Sequence, residues 1–269
     1  MVILLIVSGL YLVCVVFLTV AQRRMMYFPC KTPVRELEAD AAREGFKPWR
    51  NAQGDAIGWH RATGEGLPRR SVLVIHGNAG CAGDRFHYAD AFQAIEPMAF
   101  YILEYPGYGG RTGKPSQSTI LNAAEDGLKS IPGEYSVFLM AESLGTGVAS
   151  FLAGAHPDRV GGVLLIAPYS NMTAVAKRHL PLFPVRAILR DKYPSSAWLS
   201  KYRGPVAVLL AGRDTIIPTE FGRALFDSYT GPKKLWIEPE LGHNDLHMPR
   251  EGTWQEVIEF WNSASPERR

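Results

Sequence analysis

The sequence contains few of the residues that build metal, disulfide or nucleic-acid sites. Its 269 residues include three cysteines, Cys14, Cys30 and Cys81. An odd and sparse set of this kind predicts no disulfide framework, shows no metal-ligand spacing and leaves the redox compartment open. The 29 basic and 26 acidic residues give a net charge of +3, and no block rich in lysine and arginine stands out. We therefore expect no metal ion, no cofactor and no nucleic-acid partner.

Charged side chains are absent from the first 22 residues. An apolar run of this length can cross the hydrocarbon core of a bilayer as one helix, which predicts a membrane anchor over residues 1–22 and a juxtamembrane segment over residues 23–45. A cleaved signal peptide with a small-residue cleavage site at 19–21 is the alternative. The run is longer than the apolar part of typical signal peptides, and no basic residue precedes it.

The orientation of this anchor is predicted from the basic residues that flank it. All of them follow the apolar run: Arg23, Arg24, Lys31 and Arg35. Because basic flanking residues tend to stay on the cytoplasmic side, we expect the main domain to lie in the cytoplasm.

Apolar runs alternate with helix-compatible segments from residue 46 to residue 269. A hairpin is predicted over 46–62, followed by a continuous, mostly β-branched run at 71–75 that is typical of a strand buried on both faces. Further strands are predicted at 98–104, 136–142, 160–167, 206–211 and 234–238, and helices at 84–95, 117–130, 144–155 and 252–264. The alternation predicts one α/β domain whose mostly parallel sheet has helices on both faces and binds ligands at the carboxyl ends of its strands.

The alternation is interrupted over residues 169–203, where the chain is much longer than a usual loop between a strand and a helix. We interpret this insert, which mixes apolar and basic residues, as a short helical cap over the strand ends. Its basic residues are Lys177, Arg178, Arg186, Arg190, Lys192, Lys201 and Arg203. With only Asp191 as a counter-charge, the insert could rest on an anionic membrane, whereas a solvated face on a structural cap is the alternative.

The central motif lies where an apolar run ends, at Ala141-Glu-Ser-Leu-Gly145. A serine held between a buried strand and a helix needs small residues two positions away on each side, and Ala141 and Gly145 are small. The turn would lift the Ser143 hydroxyl above the sheet edge, where the following helix directs its free N–H groups and positive dipole end. Ser143 is therefore the predicted nucleophile, although alanine stands where glycine is usual.

Two further residues complete a Ser-Asp-His series in the chain order of α/β hydrolases. Asp214 follows the 206–211 strand and would orient an imidazole, and His243 follows the last strand and would act as the base. Helix capping near Pro218 is the alternative role for Asp214, and a solvated loop position is the alternative for His243. His247 is the second candidate base. A metal shared by the two histidines is disfavoured because no third ligand presents itself.

Backbone N–H groups would stabilise the oxyanion formed in such a reaction. The N–H of Leu144, the residue after the nucleophile, is one predicted donor. The second should come from the loop after the 71–75 strand, where Asn78 is the first choice and Ala79 the next. This loop lacks the Lys-Ser/Thr ending of a P-loop, so nucleotide binding is not expected.

In combination, these motifs resemble the membrane-anchored α/β-hydrolase-domain serine hydrolases. The segments that carry the resemblance are Arg23-Arg-Met-Met-Tyr-Phe-Pro29, His76-Gly-Asn-Ala-Gly80, Glu104-Tyr-Pro-Gly-Tyr-Gly109, Glu142-Ser-Leu-Gly145, Gly212-Arg-Asp-Thr-Ile-Ile-Pro218 and Gly242-His-Asn-Asp245. Two positions depart from the family pattern, because Glu104 replaces the usual aspartate and Pro106 stands where arginine is common. Neither position belongs to the predicted triad.

The resemblance implies an α/β-hydrolase fold and the hydrolysis of acyl esters or thioesters, with lipids or S-acylated proteins as substrates of some relatives. Peptidases and amidases use the same residue arrangement and form the second hypothesis. A catalytically silent protein that binds a hydrophobic ligand is the third hypothesis. Such a protein would not need the proton relay formed by Ser143, Asp214 and His243.

Overall fold

The computed structural model describes residues 1–63, 70–133 and 136–264; the predicted end of the domain, residues 265–269, lies outside this part of the chain. The strands are β1 (Phe28–Pro29), β2 (Lys47–Arg50), β3 (Ala56–Arg61), β4 (Arg70–Ile75), β5 (Ala79–Gly80), β6 (Met98–Leu103), β7 (Val137–Glu142), β8 (Val160–Ile166), β9 (Val206–Ala211) and β10 (Lys233–Glu238). The α-helices are α1 (Val2–Met26), α2 (Val34–Arg43), α3 (Phe86–Gln93), α4 (Gln117–Ser130), α5 (Leu144–Ala155), α6 (Met172–His179), α7 (Val185–Ile188), α8 (Ser195–Leu199), α9 (Thr219–Ser228) and α10 (Thr253–Ala264).

Eight strands form one sheet, in the order β10-β9-β8-β7-β4-β6-β3-β2. The β2–β3 hairpin and the β3–β6 pair are antiparallel, and every other pair in this sheet is parallel. Parallel strands must be covered on both faces, which accounts for their nearly continuous apolar sequences. The predicted mostly parallel sheet and its N-terminal hairpin are confirmed.

Each face of the sheet is covered by its own layer of helices. In β4, Leu73 and Ile75 pack into the core on the side of α4, α5 and α9, whereas Val72 and Val74 pack into the core on the side of α2, α3 and α10. All four side chains are fully buried. Successive residues of a strand point to opposite faces. A continuous, mostly β-branched run therefore supplies apolar side chains to both cores.

The structure contains two helices that were not predicted from the sequence. Helix α2 lies within the segment predicted to be juxtamembrane, and α9 lies between β9 and β10. Each buries only two residues, Leu37 and Ala41 in α2 and Gly222 and Leu225 in α9. Both helices are nevertheless clearly amphipathic, so the periodic signal was present in the sequence and the prediction overlooked it.

The insert over residues 169–203 forms three short helices, α6, α7 and α8. Helix α8 packs on α5, where the rings of Trp198 and Phe151 lie 5.4 Å apart. Helices α6 and α7 form the cap proper, and Leu182, in the loop between them, is 81% exposed.

Helix α1 is long and apolar enough to cross a membrane by length and composition. It extends to Met26, past the predicted end of the anchor. Most of its side chains are exposed, but one face is partly covered: Cys14, Val15, Leu18, Thr19, Ala21, Gln22 and Met26. These positions recur at the spacing of one helix face, so the C-terminal half of α1 rests against the rest of the protein.

The cysteines were not expected to form a disulfide framework, but Cys30 is bonded to Cys81, a disulfide that the sequence did not predict. The bond becomes possible because β1 pairs with β5, with Phe28 opposite Ala79 and Pro29 opposite Gly80. This pairing brings the two Cα atoms to 5.5 Å, within the usual range for a disulfide. Strands of two residues carry no sequence signal, so the pairing could not be read from spacing.

Candidate active site

Ser143 occupies a sharp turn between β7 and α5. Its backbone has φ 47° and ψ −117°, a conformation that costs a non-glycine residue about 1–3 kcal/mol. Gly145 must be small because a Cβ there would overlap the carbonyl oxygen of Ile75 in the neighbouring strand β4. Ala141 is paired with the same residue, Ile75, and is fully buried. Close packing against β4 therefore accounts for Gly145, whereas Ala141 is a buried strand residue beside Ile75.

Three residues predicted from the sequence meet at this turn. Nδ1 of His243 lies 2.6 Å from Oδ2 of Asp214, and Nε2 of His243 lies 3.0 Å from Oγ of Ser143. Because a carboxylate accepts hydrogen bonds, His243 donates from Nδ1, which leaves Nε2 free to accept from the Ser143 hydroxyl. The side chains of His243 and Asp214 are 10% and 2% exposed, so little water competes for these bonds.

Asp214 is fixed by its second carboxylate oxygen. Oδ1 accepts hydrogen bonds from the backbone N–H groups of Ile216 at 2.8 Å and Ile217 at 2.7 Å. The alternative role, capping of the next helix, is not what this carboxylate does, because α9 begins after Pro218 and has no side-chain cap. The tight turn holds Asp214 in place and leaves Oδ2 for His243.

Both residues predicted to supply oxyanion donors are close to Ser143, one in the chain and the other in the cavity wall. Leu144 is the first residue of α5, so its N–H has no partner inside the helix. Asn78 lines the same cavities as Ser143. Nδ1 of His76 donates to the Gly77 carbonyl at 2.8 Å. Because a trans peptide directs its N–H opposite to its C=O, this bond also sets the direction of the Asn78 N–H.

The loop that carries Asn78 is tied to the end of α1. The Asn78 carbonyl accepts hydrogen bonds from the Phe28 N–H at 2.8 Å and the Tyr108 hydroxyl at 2.7 Å. Its side-chain amide donates to the Met26 carbonyl at 2.9 Å. Together with the nearby disulfide, these bonds link the loop beside Ser143 to the segment that follows the N-terminal helix.

Glu142, the residue before Ser143, belongs to a buried ionic cluster. Its carboxylate accepts hydrogen bonds from Nε of Arg85 at 2.7 Å and from the hydroxyl of Tyr88. Burial alone would raise the pKa of Glu142, but the charge of Arg85 and these hydrogen bonds outweigh burial and hold the pKa below its ordinary value. Burial raises the pKa of Tyr88, so Tyr88 keeps its proton and remains a donor.

Ser143 lies between two cavities of different character. The first has a volume of about 270 Å³, and apolar side chains of α1, the cap and the Ile216–Ile217 turn form most of its wall. The second has a volume of about 620 Å³ and several polar side chains in its wall: Asp84, Arg85, His87, His243, Asn244 and His247. Burial lowers the pKa of His87, so its ring favours the neutral form. An amphiphilic substrate matches this arrangement.

Helix α1 supplies part of the apolar cavity, a role that the sequence does not predict. The residues of α1 that line it are Leu18, Gln22, Met25 and Met26. The cap residues that line it include Met172, Val175, Leu180, Val185, Ile188 and Leu189. The only available signal was that the polar residues Thr19 and Gln22 interrupt the apolar helix near its end. An apolar helix gives the same hydropathy whether it faces lipid or substrate.

His247, the second candidate base, lines the second cavity together with Ser143 but is bonded elsewhere. Its Nδ1 donates to the Asn244 carbonyl at 2.9 Å, and its ring stacks edge-on with that of His87 at 5.5 Å. Both ring nitrogens of His243 are engaged by the other triad residues. In the described part of the chain, no group of three or more His, Cys, Asp or Glu side chains could hold a metal ion.

Comparison with known proteins gives relatives in sequence and in fold. No family model matches the chain. The uncharacterised protein Rv2307c of Mycobacterium tuberculosis is 30% identical over 240 residues, which cover 87% of this chain and 84% of that protein. The rat lysophosphatidylserine lipase ABHD12 is 25% identical over 257 residues, which cover 82% of this chain and 63% of the lipase. An esterase of Pyrococcus furiosus has the same fold, with a TM-score of 0.63, 12% identity and coverage of 90% of this chain and 99% of the esterase.

Proposed function

The chain belongs to the ABHD family of α/β hydrolases, and from this membership we propose that it is a serine hydrolase that cleaves carboxylic ester or thioester bonds. One observation carries the proposal: hydrogen bonds join Ser143, His243 and Asp214 in series. A hydroxyl, an imidazole and a carboxylate in this order form the relay that activates a serine.

In the acylation step, Oγ of Ser143 forms a bond with the acyl carbon while Nε2 of His243 takes the hydroxyl proton. Asp214 keeps the ring in the correct tautomer and stabilises the imidazolium. The N–H groups of Leu144 and Asn78 donate to the tetrahedral oxyanion. When this intermediate collapses, the bond to the leaving oxygen or sulfur breaks, and His243 returns its proton to the leaving group.

Deacylation repeats the chemistry with water. His243 takes a proton from water as the water oxygen bonds to the acyl carbon, and the bond to Oγ of Ser143 then breaks. The proton returns from His243 to Ser143, so the enzyme is regenerated. The balance is one ester or thioester plus water, which gives one carboxylic acid and one alcohol or thiol.

The substrate class is proposed from the relatives and from the two cavities. The rat relative is named a lipase, and the chain spans 63% of its length. We extend the proposal to lipid esters, because an apolar cavity and a more polar cavity meet at Ser143. Thioesters, including those of S-acylated proteins, are included because the same attack breaks a C–S bond.

The proposal places the enzyme at a membrane through residues 1–22, followed by the segment 23–45 and a hydrolase domain over 46–269 with its cap at 169–203. The basic residues after the helix predict a cytoplasmic domain, whereas the disulfide between Cys30 and Cys81 favours an oxidising compartment. We place the domain on the oxidising side, because the disulfide joins the segment after the helix to the hydrolase domain and the charge bias is only statistical.

A fluorophosphonate probe tests the proposed nucleophile. The wild-type protein should be labelled, and Ser143→Ala should lose both labelling and ester hydrolysis. Ser200→Ala, at an exposed serine, is the matched control and should behave as wild type. A wild-type protein that does not react would favour a silent binding protein. Comparison of p-nitrophenyl esters, acyl thioesters and aminoacyl amides of the same size separates an esterase from an amidase.

A further inference from the structure

The end of α1 is joined to the cap by polar contacts that a simple tether does not need. The Gln22 side chain donates to the Ile188 carbonyl at 3.0 Å and accepts from the Arg190 N–H at 2.7 Å. The next residue, Arg23, donates two hydrogen bonds to Asp191, at 3.0 and 3.1 Å. These bonds fix both the distance and the rotation of α1 relative to α7.

The buried carboxylate of Asp191 accepts its side-chain hydrogen bonds from the N-terminal segment. Asp191 is 3% exposed, and besides Arg23 it accepts a hydrogen bond from the Tyr27 hydroxyl at 3.0 Å. The same hydroxyl lies 3.0 Å from the hydroxyl of Tyr193 in the cap. A buried carboxylate without such partners is costly, so the position of the cap depends on the helix.

The contact between α1 and the cap extends far along the helix. The Tyr11 hydroxyl donates to the Leu182 carbonyl at 2.9 Å, and its ring stacks on that of Phe183 with centroids 5.7 Å apart. At ~1.5 Å per residue, Tyr11 lies about 22 Å along the helix from Met26. If α1 crosses a hydrocarbon core of ~30 Å, the tip of the cap lies at the depth of the lipid chains.

The apolar cavity fills the space between α1 and the cap, with Ser143 among its lining residues. Its volume of about 270 Å³ lies slightly below the ~300–1,000 Å³ usual for ligand pockets. A site this small suits one slender chain better than two. The second cavity, which Ser143 also lines and which has more polar side chains in its wall, can take the rest of an amphiphilic molecule.

We propose that the N-terminal helix is one wall of the acyl-binding site and that a single-acyl-chain membrane amphiphile enters from the bilayer, through the seam between α1 and the cap. Its acyl chain occupies the apolar cavity, its carbonyl lies at Ser143, and its polar group lies beside the polar side chains of the second cavity. The inference rests on the proposed function, because it assigns the substrate of the same site. It makes α1 a specificity element rather than only an anchor.

A larger side chain on α1 that fills the apolar cavity tests whether this helix forms one wall of the acyl-binding site. Leu18→Trp places a bulky ring in the cavity, and Leu12→Trp is the matched control because Leu12 is 62% exposed on the same helix. For full-length protein in bilayers, kcat/KM is measured for p-nitrophenyl palmitate and butyrate and expressed per fluorophosphonate-labelled site. Leu18→Trp should lower the palmitate-to-butyrate ratio at least about tenfold, because each excluded methylene loses its burial. Leu12→Trp should leave the ratio as in wild type.

Entry from the bilayer is tested by comparing substrate in the enzyme's own membrane with substrate in a separate membrane. A long-chain ester that does not exchange between membranes is added either to the vesicles that hold the enzyme or to separate vesicles. Hydrolysis should be fast in the first case and at least about tenfold slower in the second, because the seam opens only into the enzyme's own bilayer. Equal rates, or an unchanged ratio in Leu18→Trp, would overturn the inference. Failure of the wild type to hydrolyse any ester would instead contradict the proposed function.

Discussion

Arg23 of the N-terminal helix and Asp191 of the cap form an ion pair with two hydrogen bonds. The Asp191 side chain is 4% exposed, whereas that of Arg23 is 45% exposed. The pair therefore joins a desolvated carboxylate, that of Asp191, to a guanidinium group, that of Arg23, which stays partly hydrated. Removal of Arg23 leaves the cap with a buried carboxylate and loosens the wall that α1 contributes to the apolar cavity.

Arg23→Ala is expected to destabilise the protein by about 1–3 kcal/mol. This is less than the ~3–5 kcal/mol for breaking a fully buried pair, because water already screens Arg23. The free energy of unfolding is measured by denaturant titration of full-length protein in a mild detergent. The palmitate-to-butyrate ratio should fall as well, because the distance between α1 and the cap is no longer fixed.

Arg24→Ala removes the same charge one residue later and serves as the control. Arg24 is exposed and is not among the residues that line the apolar cavity. The double variant Arg23→Ala/Asp191→Asn removes the buried charge and should recover part of the lost stability. Equal destabilisation by Arg23→Ala and Arg24→Ala would show that the pair does not hold the cap.

The two histidines after β10 give a second prediction. His243→Ala should lower kcat/KM by about 10⁴-fold or more, because members of a triad act as a unit. His247→Ala should retain most of the activity, since His247 is bonded to the Asn244 carbonyl and not to Ser143. Ester hydrolysis by both variants is measured at matched protein concentration. If His247→Ala were the inactive variant, His243 would be the wrong base.

Much of the fold and the members of the candidate site were predictable because both depend on local signals. The run at 71–75 had to be a doubly covered strand, since alternate residues serve two cores. Gly145 indicated a close approach of α5 to β4, because any larger side chain at this position would overlap the strand. The chain order of Ser143, Asp214 and His243 predicted a meeting at one sheet edge, and their catalytic roles stay predictions.

The features that could not be predicted are those that join distant segments through few residues. The pairing of β1 with β5 involves two residues on each side, and the disulfide follows from this pairing. The contact of Gln22 and Arg23 with the cap depends on the rotation of α1, which hydropathy does not specify. A pattern reports which residues avoid water, but it does not report whether lipid, protein or substrate replaces the water.

Glu142 gives a prediction for acid stability. Its pKa is below its ordinary value of 4.5 in the folded protein, so the unfolded state binds more protons in the window below that value. The stability that Glu142 contributes is therefore present above pH 4.5 and lost as the pH falls through the folded pKa. Unfolding free energies measured across this window should fall less steeply for Glu142→Gln than for wild type.

Glu240→Gln is the matched control for this measurement. The Glu240 side chain is 71% exposed and pairs with Arg213 at the surface, where an ion pair contributes little. Its pH profile should follow that of wild type. A Glu142→Gln profile as steep as that of wild type would show that other carboxylates cause the loss of stability in acid.

The disulfide between Cys30 and Cys81 gives the last prediction. It closes a loop over a sequence separation of 51, for which chain-entropy estimates give about 4 kcal/mol of stabilisation. A reducing agent should lower the denaturation midpoint of wild type and of Cys14→Ser, whose mutated cysteine is free. Cys30→Ser should start with a lower midpoint and not respond to the reducing agent.

The same cysteines report the compartment of the domain, because disulfides persist where the surroundings are oxidising. Cells that express the full chain are quenched in acid, their free thiols are alkylated, and the peptides that contain Cys30 and Cys81 are identified by mass spectrometry. We expect alkylation of both only after reduction in the test tube, which corresponds to a domain on the oxidising side. Alkylation without reduction would place the domain in the cytoplasm, as Arg23 and Arg24 predict.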